Sequence, residues 1–238
     1  MEHLAPRLAA IPGVIAVTLG GSRARGEEHE GSDWDFGLYY RGTLDPDDVR
    51  SLGYAGTVFG PGEWGSIVNG GAWLEIDGER VDLIYRDLDE VEQWVAAADT
   101  GHFEVRREVG YVAGIATYVL AGELAIAKVL HGTLPRPAFS AALARSAPAW
   151  WFHIAAMALG IADAHAARDD AVATTANVTQ AALACAQGRL AAQQRWVLNE
   201  KGIIARAGLT AMEDVIREEI GSPRRLVSAA RAVLELPD

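Results

Sequence analysis

The stretch from Gly20 to Phe36, GGSRARGEEHEGSDWDF, limits the possible folds more than any other part of this chain. Gly13 to Leu19, just before it, is β-branched and apolar, as a buried strand is. Gly20 and Gly21 end that run, because paired glycines favour a tight turn over continued pairing. Ser22 to Arg25 can begin a helix, with Ser22 placed to cap it. Residues 27–32 are polar loop, and Asp33 to Tyr40 reads as a second strand. Side chains alternate along a strand, so Asp33 and Asp35 share one face while Trp34 turns to the core.

Two carboxylates on one face repel unless a cation lies between them. Magnesium suits such a pair, since it takes oxygen ligands and is commonly shared between carboxylates and phosphates. The glycine turn fits the same chemistry. Gly20 and Gly21 leave backbone N–H groups open to a phosphate, and the Ser22 hydroxyl adds a donor. A third acid, Asp82, interrupts the apolar run Val81 to Tyr85 and calls for a partner there. A metal shared with Asp33 and Asp35 would provide one, and a two-magnesium phosphoryl-transfer site needs three such carboxylates.

The remaining first half supplies the frame. Residues 3–10 read as a short helix ending before Pro12. Residues 41–71 read as loop-rich, with no helix or strand assigned in them. Within them Gly60 to Gly65 matches a dinucleotide fingerprint, but no helix can continue through Gly70 and Gly71, so a dinucleotide fold is excluded. Residues 72–76 and 79–85 form a hairpin about Asp77-Gly78. A helix follows from Asp87, with Leu88, Val91, Trp94 and Val95 as its apolar stripe. Residues 102–113 suit a further strand and turn. Beyond residue 115 alanine dominates and helical periodicity takes over, over roughly residues 117–131, 138–146, 149–168, 171–195, 210–219 and 222–234. The expected architecture is an α/β domain over 1–114, a small mixed sheet with flanking helices, followed by an all-α helical bundle over 115–238.

Composition removes several function classes. The net charge is -11, and only Lys128 and Lys201 are lysines, so no basic stripe exists to displace counterions from nucleic acid. No apolar run is long enough for a membrane span. The single cysteine, Cys185, excludes an internal disulfide and fits a reducing cytoplasm. A monomer or a homodimer is compatible with the apolar helical half. An acidic surface attracts cationic small molecules.

Gly20-Gly21-Ser22-Arg23-Ala24, Ser32-Asp33-Trp34-Asp35 and the strand bearing Asp82 together resemble the signature of the polymerase-β-type nucleotidyltransferases. Chain size and the helical second half resemble the antibiotic nucleotidyltransferases of that superfamily. The segment Trp196 to Gly202 is similar to one in their helical domain, where Lys201 would stand near the nucleotide. The resemblance implies ATP as co-substrate, its triphosphate against Gly20, Gly21, Ser22 and Arg23, and magnesium on Asp33, Asp35 and Asp82. It implies transfer of AMP to a hydroxyl of a small molecule such as an aminoglycoside, with pyrophosphate released. Asp82 would bind metal, act as base, or both; Glu104 and Glu123 are alternative bases. Two other acceptors fit the same chemistry, a biosynthetic metabolite and a protein modified by an antitoxin-like enzyme. Helical nucleases that accompany such antitoxins carry Arg-x4–6-His on a helix, and no helix here has that spacing.

Overall fold

The computed structural model describes residues 1–237. In chain order it contains a 3-10 turn, then α1 (Ala5–Ala9), β1 (Val14–Leu19), α2 (Gly21–Arg25), β2 (Trp34–Tyr40), α3 (Pro46–Arg50), β3 (Ala55–Val58), β4 (Gly71–Ile76), β5 (Glu79–Asp87) and α4 (Leu88–Asp99). There follow β6 (Val105–Arg106), β7 (Ile115–Ala116), α5 (Val119–Ile126), β8 (Lys128–His131), α6 (Leu143–Ala166), α7 (Ala171–Ala192), α8 (Ile203–Arg206), α9 (Ala211–Glu219) and α10 (Pro223–Leu234). The contacts define two compact units, one of Met1–Ala97 with Thr117–Ala138 and one of Ala98–Ala116 with Phe139–Asp238.

The first unit is built on a six-stranded sheet in the order β3-β4-β5-β2-β1-β8. Only β2 and β5 run parallel; every other neighbouring pair is antiparallel. The hairpin joining β4 to β5 turns at Asp77 and Gly78, both with positive φ (54° and 80°). That is the backbone of a two-residue turn matched to strand twist. One sheet face holds Phe36, Leu38, Val81, Leu83 and Tyr85, packed with Leu4 and Leu8 of the N-terminal helical segment. Burying such side chains stabilises the unit by about 1.5–3 kcal/mol each.

Three expectations are corrected here. Residues 41–71 are not all loop: Asp45 accepts a hydrogen bond from the Asp47 N–H and, with Pro46 behind it, starts α3, and β3 pairs with β4. The segment expected as one helix over residues 117–131 ends its helix at Ile126, and Lys128–His131 pairs with β1. Without β8 the inner strand β1 would present a row of unpaired backbone groups, a demand that outweighs local helix preference. Ser22 does not cap α2: Gly20 occupies the N-cap position without a side-chain hydrogen bond.

The second unit is dominated by α6 and α7, which pack along one another. α6 buries Leu143, Ala147, Trp151, Ala155, Ala158 and Ala162, a stripe at helical spacing. Two helices expected over residues 138–146 and 149–168 are therefore one, with Pro148 inside. The proline forfeits one backbone hydrogen bond, which the buried stripe offsets. On α7 a β-carbon at Gly188 would lie 2.8 Å from the Phe152 ring, so glycine permits the close approach. Arg189 Nη2 donates to Leu234 O at 2.9 Å, tying α7 to the end of α10. Among the described residues no helix is long and apolar enough to cross a membrane.

Candidate active site

The face of the sheet opposite the core carries the predicted carboxylates, and strand register determines their company. Asp35 pairs with Asp82 across the parallel β2–β5 ladder, and Asp82 pairs with Trp73 across the hairpin. Directly paired residues point the same way, with strands about 4.8 Å apart. Trp73, Asp82 and Asp35 thus form one row across three strands. In the row beside it Glu75 pairs with Arg80, whose Nε lies 2.7 Å from Asp33 Oδ1. That contact is an ion pair without hydrogen-bond alignment: Asp33 Oδ1 is shielded and makes no hydrogen bond. Arg80 Nη2 also donates to Gly31 O at 2.8 Å, holding the loop that delivers Asp33.

The glycine turn closes over the other end of the row. Gly20 N–H donates to the Asp35 carbonyl at 2.7 Å. Gly21 has φ of 61°, and a β-carbon there would lie 1.7 Å from Asp35 Oδ2. A larger residue there would be strained at this φ and would have to push the Asp35 carboxylate away. The turn after β1 and the carboxylate of β2 are therefore one packed unit.

Arg23 and Ser22 follow on α2. The Arg23 guanidinium lies over the Trp34 ring at 4.1 Å and donates to Ser32 O (2.7 Å) and Asp33 O (3.2 Å). It clamps the entry of β2, so that the chain arrives with Asp33 on the carboxylate face. Trp34 itself packs against the core and stacks on Phe36 at 6.3 Å, as alternation requires.

The remaining candidates have other settings. Glu123 on α5 accepts two 2.6 Å bonds from Arg86, through Nε and Nη2, so its carboxylate is already engaged. Arg86 is 5% exposed and also donates to Val68 O at 2.6 Å. Beside this pair lies Tyr39, whose phenol is pushed well above its usual range by burial, then by the Glu123 charge, against the opposing Arg86 charge and Thr18 hydrogen bond. It is a neutral packing group. Glu104 and Lys201 belong to the second unit. There Arg106 Nη2 donates to Glu104 at 3.1 Å, and Lys201 is exposed, its N–H bonded to Asn199 Oδ1 at 3.0 Å. Glu200 next to it accepts from the Val112 and Ala113 N–H groups at 2.8 Å each.

A cleft of about 330 Å³ opens on the carboxylate face, lined by Asp33, Asp82, Trp73, Glu75, Arg80 and Gly56 among others. Trp73, Glu75 and Arg80 are absent from the sequence-derived site. The signal for them was present in the Asp77-Gly78 turn, which sets the register that pairs Trp73 with Asp82 and Glu75 with Arg80.

Among the described residues no three metal-ligating side chains converge on one point. The donor set nonetheless fits a divalent cation. Asp35 and Asp82 are neighbours on one face, and Asp33 Oδ1 is shielded and lacks a hydrogen bond. All three offer the hard oxygens that magnesium takes.

Comparison with known proteins gives three findings. Residues 1–97 match the nucleotidyltransferase domain family. No curated protein matches the sequence. Among solved structures the chain is similar to a nucleotidyltransferase-like protein from Exiguobacterium sibiricum 255-15. The two are 10% identical, over 98% of this chain and 73% of that one, with a TM-score of 0.47.

Proposed function

We propose that the chain, whose residues 1–97 match the nucleotidyltransferase domain family, moves AMP from ATP to a hydroxyl of a small, cationic, aminoglycoside-type acceptor. The row of Asp35 beside Asp82, closed at one end by the Gly20-Gly21 turn, is the observation that carries this reading. A glycine turn next to paired carboxylates suits transfer of a nucleotidyl group.

In the proposed reaction the triphosphate lies along Gly20, Gly21 and Ser22. Arg23 anchors the β2 entry and adds positive charge beside the turn. The acceptor oxygen forms a bond to the α-phosphorus as the bond to the β-phosphate oxygen breaks in line, and pyrophosphate departs. Asp82 receives the hydroxyl proton. Magnesium bound by Asp33, Asp35 and Asp82 would neutralise phosphate charge and polarise the α-phosphoryl group. The strong negative net charge supports a cationic acceptor.

The test is pyrophosphate release and product mass with MgATP and a panel of aminoglycosides, lincosamides and neutral alcohols. Transfer of AMP to an amine-bearing acceptor, lost in Asp35→Ala, is the expected result. Absence of pyrophosphate with every acceptor would reject the reading.

A further inference from the structure

Trp73 is an exposed tryptophan built into the same face as the carboxylates, and packing alone does not account for it. It is 54% exposed. Behind it Trp64 stacks at 5.2 Å and 21°, and Phe59 meets both rings, at 4.8 Å from Trp73 and 5.1 Å from Trp64. Glycine makes this arrangement possible, because a β-carbon at Gly71 would lie 2.7 Å from the Trp64 ring. Three aromatic rings thus hold one of their number rigidly beside Asp82 with much of its surface in water. Exposing that much indole is unfavourable, and a rigid aromatic surface at the wall of a polar cleft suits a ring-shaped ligand.

Strand order then says which ligand. Across the sheet lie the Gly20 turn, Asp35, Asp82 and Trp73, in that sequence. In an in-line displacement the attacking and leaving oxygens stand on opposite sides of the phosphorus. With the triphosphate at the glycine turn, a reading taken from the proposed function, the attacking hydroxyl comes from the Trp73 side. The same wall carries Glu75, two residues along β4 on the same face and also lining the cleft. An indole face attracts the C–H surface of a saturated ring and a nearby cation, and a carboxylate beside it selects an ammonium group.

We propose that Trp73, backed by Trp64 and Phe59, is the acceptor platform: it stacks a saturated polyhydroxylated ring while Glu75 pairs with a protonated amine on that ring. Asp82, its neighbour in the row, then faces the hydroxyl to be modified.

Calorimetric titration of wild type, Trp73→Ala and Glu75→Gln separates the possibilities. The probes are kanamycin, streptomycin and spectinomycin, with trehalose as the neutral control and MgATP titrated separately. At least one amine-bearing probe should bind wild type and trehalose should not. Binding should weaken about tenfold in Trp73→Ala and about threefold in Glu75→Gln. Affinity for MgATP should be unchanged in both, which also reports that the variants are folded. Failure of all three amine probes on wild type, or equal affinity in Trp73→Ala, overturns the platform. Failure of MgATP to bind wild type rejects the donor reading instead, and Trp73-dependent amine binding would stand without it.

Discussion

Gly21→Ala is the perturbation whose consequence follows most directly from the geometry. A β-carbon at Gly21 would lie 1.7 Å from Asp35 Oδ2 and 2.7 Å from Asp35 Cγ. That is roughly 1.5 Å or more short of an ordinary contact, so the carboxylate must move by about that distance. The substitution also places alanine at φ of 61°, which adds about 1–2 kcal/mol. Asp35 is half-buried and can swing away, so the fold should survive with a loss of about 2 kcal/mol, or about 4–8 °C in melting temperature for a chain of this size. Under the proposed reaction activity should suffer more, since displacing a catalytic group by 1 Å costs about 100-fold. Melting curves and pyrophosphate release should therefore diverge, with a modest shift in the first and at least about 100-fold in the second. In Gly21→Ala/Asp35→Ala the clash disappears, and about 1 kcal/mol of stability should return while activity stays lost. Wild-type turnover in Gly21→Ala, or no stability gain in the double variant, would show that the turn and Asp35 do not act as one unit.

Other outcomes follow from the same structure. Arg86→Ala leaves the Glu123 carboxylate without its two 2.6 Å bonds, and urea unfolding should show a loss of about 3 kcal/mol. Tyr39 and Tyr85 both have phenols raised from 10.0, chiefly by burial. A raised folded value means stability is fully present below the unfolded value and falls as pH climbs through the folded one. Melting temperature should thus drop above about pH 10, and less steeply in Tyr39→Phe. Cys185 is buried, and burial raises its thiol pKa against the opposing Arg189 charge and hydrogen bond. A disulfide reagent at neutral pH should label it only after denaturant is added.

Much of the candidate site was legible because it depends on short-range rules. Alternation along Asp33-Trp34-Asp35 put two acids on one face and Trp34 opposite, and the structure has Trp34 against the core. Asp77-Gly78 marked a hairpin, and the turn occurs there. The parts that escaped are those where a distant partner outweighs a local preference. Lys128–His131 lies in an alanine-rich, helix-like context yet pairs with β1. Pro148 reads as a helix break yet lies inside α6, where a buried stripe from Leu143 to Ala166 carries the helix through. Ser22 has the chemistry of a cap, but Gly20 takes the N-cap position and Ser22 lies inside the helix.

The sequence by itself determined the carboxylate pair, the glycine turn, the hairpin and the helical second half, because periodicity and turn chemistry act over a few residues. Only the tertiary structure decided that Asp82 stands opposite Asp35, that Arg80 meets Asp33, that Arg86 engages Glu123, and that Trp73 is held up by Trp64 and Phe59. Those meetings depend on strand order and on the parallel register of β2 with β5. Both are fixed by burying the opposite face of the sheet as a whole, a demand that no single segment expresses.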